Sequence, residues 1–247
     1  MNHLLLRNGL LRDAVSPARF IFLIIVCFCS GLGAQSIPRN KYGLAVVTDY
    51  ALYQKVSSRD SNMRLVNLEE YLPGVVLDIR YATTNNVTKT KLYAAPHAFS
   101  SLSVARALIR ARAALREQGY DFKIYDAYRP YSATLKLWDA VRDDRYAGTP
   151  EKGSRHNRGC AVDITLISLK TGKEIEMPTP YDTFSDKAHA NYQKLSPLVL
   201  KNRSLLKNAL EKVGFKQLTS EWWHFDFNGW KSYPLLDISF EKLVNSK

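Results

Sequence analysis

The chain has 247 residues, 46% of them hydrophobic, which suffices for one sizeable core or at most two small ones. Its 23% of charged residues and the lack of any low-complexity tract exclude disorder over most of the length. The net charge is +12, but the basic residues are scattered, with no run of five or six. That pattern speaks for a solvated basic surface and against nucleic-acid binding.

Residues 1–34 have the build of a secretory signal. Arg7, Arg12 and Arg19 precede an apolar run over residues 20–28, and small residues follow at Ser30, Gly31, Gly33 and Ala34. The run is short for a membrane span, which needs about 20 apolar residues. Cleavage near Gly33 or Ala34 is expected, giving an exported protein of the periplasm or cell envelope. An uncleaved N-terminal anchor is the competing reading, and the only route to a membrane. Loss of the segment removes three Arg and one Asp, so +12 becomes +10. It also removes Cys27 and Cys29, leaving Cys160 without a disulfide partner.

Residues 35–66 read as a polar lead-in and residues 67–247 as a single compact domain. Residues 75–81 suggest a strand of mixed burial. Ser101 and Ser103 can cap a helix carrying Val104, Leu108, Ala111 and Leu115 at helical spacing, with Gly119 as its stop. Residues 122–125 alternate as a strand and lead into Asp126-Ala127-Tyr128-Arg129-Pro130, where Pro130 opens a second helix with Leu135, Trp138 and Val141. Residues 161–166 form a short strand. Ser196-Pro197 starts a third helix through Leu206, Leu210 and Val213, and Gly214 ends it. From Phe215 the chain runs as loop or strand into residues 222–227. Strands and helices do not alternate regularly, so the expected fold is α+β, a mainly antiparallel central sheet flanked by helices.

Beyond the signal segment four histidines remain: His97, His156, His189 and His224. Two stand in motif-like settings. In Ser154-Arg155-His156-Asn157-Arg158-Gly159-Cys160-Ala161-Val162-Asp163 the histidine lies in a turn, and Asp163 lies seven residues on in an apolar strand. Buried there, an aspartate is costly unless it is paired or binds a metal. In Glu221-Trp222-Trp223-His224 a carboxylate and an imidazole sit among aromatics. His156, Asp163 and His224 together give two nitrogens and one oxygen, a set that holds one zinc ion and leaves a fourth position open. Glu221 is then the natural general base. It must sit before the strand or at a bulge, because residues three apart on a flat strand face opposite ways. Taken singly, either histidine motif reads more readily as a satisfied core histidine beside an acid; the two together, each with its own acidic residue, reverse that preference.

Arg129, fixed at a corner before Pro130, is either an oxyanion partner or one half of a surface salt bridge with Asp126. Cys160 lacks the partners of a nucleophile and reads as a small core residue. His97 and His189 read as surface residues. Trp222 and Trp223 read as core, with one available as a pocket wall.

These segments, with Ile79-Arg80-Tyr81-Ala82-Thr83, occur in the order seen in the VanX-type D-Ala-D-Ala dipeptidases of the zinc D,D-peptidase superfamily, which the chain resembles from about Leu72 to Asp237. The resemblance implies zinc on His156, Asp163 and His224, the base on Glu221 and the transition-state arginine on Arg129. It also implies that Asp182 grips the free amine of a small dipeptide, with Ser154 and Tyr81 helping to hold it. Cys160 stands where the family has serine or another small residue. The implied reaction is hydrolysis of D-alanyl-D-alanine, in cell-wall turnover or in glycopeptide resistance. A D,D-carboxypeptidase trimming peptidoglycan stems and a non-catalytic zinc-stabilised cell-wall module are the alternatives. Nothing in the sequence sets an oligomeric state.

Overall fold

Asp49 caps the first helix, its carboxylate accepting from the Leu52 amide at 2.8 Å. In the computed structural model residues 36–245 are described; the segment expected to be a secretory signal, with Cys27 and Cys29, lies outside them. Ile37–Lys247 groups as one unit. The strands are β1 (Val46–Val47), β2 (Leu65–Asn67), β3 (Val76–Leu77), β4 (Phe99–Ser101), β5 (Tyr120–Asp126), β6 (Ala161–Ser168), β7 (Phe215–Gln217), β8 (His224–Phe227) and β9 (Leu235–Leu236). The helices are α1 (Tyr50–Arg59), α2 (Leu68–Tyr71), α3 (Leu102–Arg116), α4 (Tyr131–Val141), α5 (Pro197–Glu211) and α6 (Phe240–Val244).

The central sheet has the order β3-β5-β6-β8-β7. The edge pairing β3 with β5 is parallel and the other three are antiparallel, so the α+β expectation holds while the sheet is mixed. Strand β6 is buried along nearly its whole length, with Val162, Ile164 and Leu166 fully enclosed. Helix α3 packs on β5 and on α5, and its buried face includes Val104, Leu108, Ala111 and Leu115, as the spacing predicts.

Local expectations fare unevenly. Ser196 caps α5, its hydroxyl accepting from the Val199 amide at 3.2 Å, and Gly214 follows that helix at φ 101°. Ser101 occupies the cap position of α3, yet its hydroxyl pairs with Ser103 at 3.1 Å rather than with a helix amide. On α4 the buried residues are Tyr131, Ala133, Thr134 and Leu137; Leu135, Trp138 and Val141 are half-buried. The expected strand over residues 75–81 shrinks to Val76–Leu77, and Tyr81 sits on a 3-10 turn over Arg80–Ala82.

Residues 35–66 are also more than a lead-in. Val46 and Val47 pair in parallel with Leu235 and Leu236, and the Tyr53 hydroxyl accepts from the Leu65 amide at 2.7 Å. Polar on average, this stretch still delivers a few apolar side chains to the core, among them Leu52 and Tyr53. Average polarity hid them.

Candidate active site

Three neighbouring strands bring Asp126, Asp163 and His224 into one row. Asp163 on β6 is the register partner of His224 on β8 and of Asp126 on β5. Cross-strand partners share a face. Between Ile124 and Asp126 the register shifts by one residue, a bulge at Tyr125 that turns Asp126 onto the face of Asp163. His156 reaches the row from a 3-10 turn just before β6, which Gly159 ends at φ 62°. A Cβ on Gly159 would stand 2.6 Å from Leu65 Cδ2 and 2.9 Å from the Ser101 amide nitrogen, so the turn presses directly on β2 and β4.

The same turn is laced to the corner that carries Arg129. The Arg129 amide donates to the His156 carbonyl at 3.1 Å. Asn157 Nδ2 donates to the Arg129 carbonyl at 2.9 Å and to Thr134 Oγ1 at 2.7 Å. Ser154 Oγ accepts from the His156 amide at 3.2 Å.

His156 Nε2, His224 Nδ1 and Asp163 Oδ1 form a triangle with sides of 3.1, 3.1 and 3.4 Å. Ligands at about 2.0–2.1 Å from a tetrahedral zinc lie about 3.3 Å apart. Every second position is occupied. His156 Nδ1 donates to the Ala127 carbonyl at 2.6 Å, and His224 Nε2 donates to Asp226 at 2.8 Å. Asp163 Oδ2 accepts from the Tyr181 hydroxyl at 2.8 Å. The second partners thus fix both tautomers and leave three lone pairs aimed at one buried point. Such a point calls for a cation. It is the one group of metal-ligating side chains found among the described residues.

Glu221 lies in the turn before β8, as the facing argument requires, with Oε2 3.7 Å from His224 Nδ1. Burial pushes its carboxyl up to about 8, against the pull of His224. Arg129 is 4% exposed and donates through Nε and Nη2 to Asp126 Oδ2 at 2.9 and 2.7 Å, while Tyr93 donates to Asp126 Oδ1 at 2.8 Å. The salt bridge with Asp126 therefore exists, but it is buried, and it holds the guanidinium against the face of Tyr81 at 4.8 Å.

Asp182 adopts φ 57°, in the left-handed region, within the same site. Its Oδ1 accepts weakly from the Tyr81 hydroxyl at 3.4 Å, and its buried Oδ2 has no hydrogen-bond partner. Burial, and next the charge of Asp163, push this carboxyl up to about 7. Tyr81, Arg129, Ser154, Asp182 and Glu221 line one cavity of about 100 Å³ with the triangle, so the structure brings every sequence-predicted site residue together. Drug-sized ligands occupy pockets of about 300–1,000 Å³. This one suits something smaller.

Sequence reasoning missed Tyr181 and Asp226 as partners of the triangle, and it met Asp126 only in the surface salt bridge that was one of its two readings of Arg129. Asp226 was findable, since it alternates with His224 on one strand; Tyr181 needed the fold. Trp222 is core, its indole donating to Thr179 at 3.0 Å, while Trp223 walls the cavity. Cys160 is enclosed, and burial pushes its thiol up to about 12, as befits an unreactive core residue. His97 stays partly exposed, 3.8 Å from Glu69 and apart from the site.

A D-alanyl-D-alanine dipeptidase of Escherichia coli (strain K12) is 32% identical over 181 residues, which cover 73% of this chain and 93% of that protein. A D-alanyl-D-alanine dipeptidase of Enterococcus faecium is 28% identical over 64% of this chain and 88% of its own length. Among solved structures, VanYB in complex with D-Alanine-D-Alanine aligns at 14% identity and a TM-score of 0.37, over 55% of this chain and 75% of that one. The family model described as D-ala-D-ala dipeptidase matches residues 61–237, well over half of the sequence. The chain belongs to the D-ala-D-ala dipeptidase family of metallopeptidases.

Proposed function

We propose that this protein is a zinc-dependent dipeptidase that hydrolyses D-alanyl-D-alanine to two molecules of D-alanine. One observation carries the reading: a cation site and a buried carboxylate 3.7 Å from one of its ligand atoms share a small cavity that also holds an aspartate with one oxygen unpartnered. One zinc ion on His156, Asp163 and His224 would supply Lewis acidity at the scissile carbonyl.

The remaining steps belong to the chain's own residues. Glu221 takes a proton from the attacking water and returns it to the leaving amine, so one water is consumed and one peptide bond breaks. Burial raises the Glu221 carboxyl, and a cation beside it would lower it again, favouring the ionised form that accepts the proton. Arg129, buried and oriented by Asp126, faces the negative charge that develops on the carbonyl oxygen. Asp182 pairs with the substrate ammonium, with Tyr81 beside it, and Ser154 adds a hydroxyl from the turn that carries His156. A longer peptide has no ammonium at that point. It would leave Asp182 buried and unpaired, a cost of about 1–3 kcal/mol or more for a charged group.

The N-terminal pattern supports export to the periplasm or cell envelope, and there the reaction serves cell-wall turnover, since precursor synthesis uses a cytoplasmic pool. Among the described residues no helix is long and apolar enough to cross a membrane. Cell fractionation with mass determination of the N-terminus checks this; a cytoplasmic chain beginning at Met1 would refute it.

The reaction is tested by giving the purified, zinc-loaded full chain free D-Ala-D-Ala and a stem pentapeptide ending in D-Ala-D-Ala, with Glu221→Gln alongside. D-Alanine release from the dipeptide alone, reduced about 10²–10⁴-fold in the variant, is expected. Preference for the pentapeptide would make the enzyme a carboxypeptidase. Zinc binding with no turnover of either would leave a binding module.

A further inference from the structure

A dipeptide has two charged ends, and the residues so far account for one. Three arginines line the cavity: Arg129, Arg145 and Arg155. Arg129 is committed to Asp126, and Arg145 is bound through Nε and Nη2 to Asp143. Arg155 differs. Its Nε is buried without a hydrogen-bond partner, 3.4 Å from Asp226 Oδ2. Its side chain is 42% exposed, and its guanidinium lies 4.9 Å from the Trp230 ring centroid. Asp226, for its part, is already bonded through Oδ1 to His224.

We propose that Arg155 is a specificity-determining residue that reads the C-terminal carboxylate of the substrate. Asp182, with one oxygen unpartnered, and Arg155, whose Nε makes only a 3.4 Å ion pair with Asp226 and no hydrogen bond, both line this cavity and carry opposite charges. A zwitterion supplies the complement of both. The Trp230 ring and the Asp226 carboxylate hold the guanidinium from two sides, and no hydrogen bond among the described residues engages its Nη groups, which can serve a bidentate partner. Arg155 adjoins Ser154 and His156 in sequence, so the carboxylate anchor is built into the turn that positions a metal ligand. Substrate length would then be read from both ends, by Asp182 at the amine and Arg155 at the acid.

The inference rests on the dipeptidase reading, and the experiment separates the two. D-Ala-D-Ala is compared with D-alanyl-D-alaninamide, in which a neutral amide replaces the carboxylate, using the full zinc-loaded chain and its Arg155→Ala and Arg155→Lys variants. Loss of a charged hydrogen-bond pair predicts that Arg155→Ala raises KM for the dipeptide about 10- to 100-fold, with kcat changed far less. The amide should show a similarly high KM with both the parent and Arg155→Ala, and Arg155→Lys should recover part of the affinity for the acid. A merely structural role would raise KM for acid and amide alike, and that result, or an unchanged KM for the dipeptide, would overturn the proposal. If the parent turns over neither compound, the reaction assignment fails. Calorimetric binding of the dipeptide to parent and Arg155→Ala then decides the role of Arg155 by the same acid-against-amide comparison.

Discussion

Asp182 is a carboxylate in a place that offers it almost nothing. One oxygen has a long contact with Tyr81, the other none, and the backbone is held at φ 57°, where asparagine and aspartate are tolerated best among non-glycine residues. An unpaired buried acid is destabilising, so its presence beside the triangle is explained by a cationic group that arrives with the ligand. Asp182→Asn keeps the shape and removes the charge. It should raise KM for D-Ala-D-Ala about 10- to 100-fold, leave zinc stoichiometry unchanged and raise Tm or leave it level. Steady-state kinetics with metal analysis checks this; an unaltered KM would remove Asp182 from substrate recognition. In the sequence the same residue was one acid among several, and only the family resemblance singled it out. The grouping of His156, Asp163 and His224 was legible without that help, because a histidine in a polar turn and polar groups inside apolar strands need a reason to be there. What the residues could not disclose were the second partners of His156 and Asp163, since Ala127 and Tyr181 meet them only through tertiary contacts.

The turn before β6 carries most of the precision at the next scale. Gly159 lets it reverse at φ 62° while lying on Leu65 and on the backbone of Ser101, and the Ser101 amide donates to the Gly159 carbonyl at 2.9 Å. Gly159→Ala would meet both the left-handed penalty, about 1–2 kcal/mol, and a backbone contact that cannot give way cheaply. Such a change should lower Tm by several degrees and weaken zinc binding, because the displaced turn holds His156. Thermal melts and zinc titration of the variant measure both; a melt indistinguishable from the parent would show the turn to be more forgiving. Helix α5 and the core of α3 were readable from spacing, caps and glycine stops. The bulge at Tyr125 was not, because register depends on the partner strand. The strand expected over residues 75–81 was read too long, and the contribution of residues 46–53 escaped, since two-residue strands leave no periodicity to read.

Across the molecule, one ion-pair cluster away from the site makes stability depend on pH. Burial disfavours ionised Asp121, but Arg112, donating at 2.6 and 2.9 Å, with the Phe122 amide and Arg116, more than offsets this and holds its carboxyl below the usual range. A group held low stabilises the fold above its unfolded value, about 3.9, and that contribution disappears as pH falls through the lower folded value. Tm should therefore fall on acidification below about pH 4. Asp121→Asn, which leaves Arg112 buried without its counter-charge, should cost about 3 kcal/mol at pH 7, or about 6–12 °C in Tm, and the gap to the parent should narrow below pH 4. Parallel melts between pH 7 and pH 2 test the sign; a gap that widens in acid would contradict it. The family resemblance covered most of this unit, yet composition alone placed residues 35–66 outside it.

The acceptor-only triangle is the feature on which the whole functional account stands. Zinc titrated into metal-stripped full chain, with D-alanine release from D-Ala-D-Ala followed at each addition, tests it most directly. Activity should rise from near zero and saturate at one zinc per chain, and His156→Ala should show neither the rise nor the tight equivalent. Full activity in the stripped protein, or saturation unaffected by His156→Ala, would contradict the assignment of the metal to His156, Asp163 and His224.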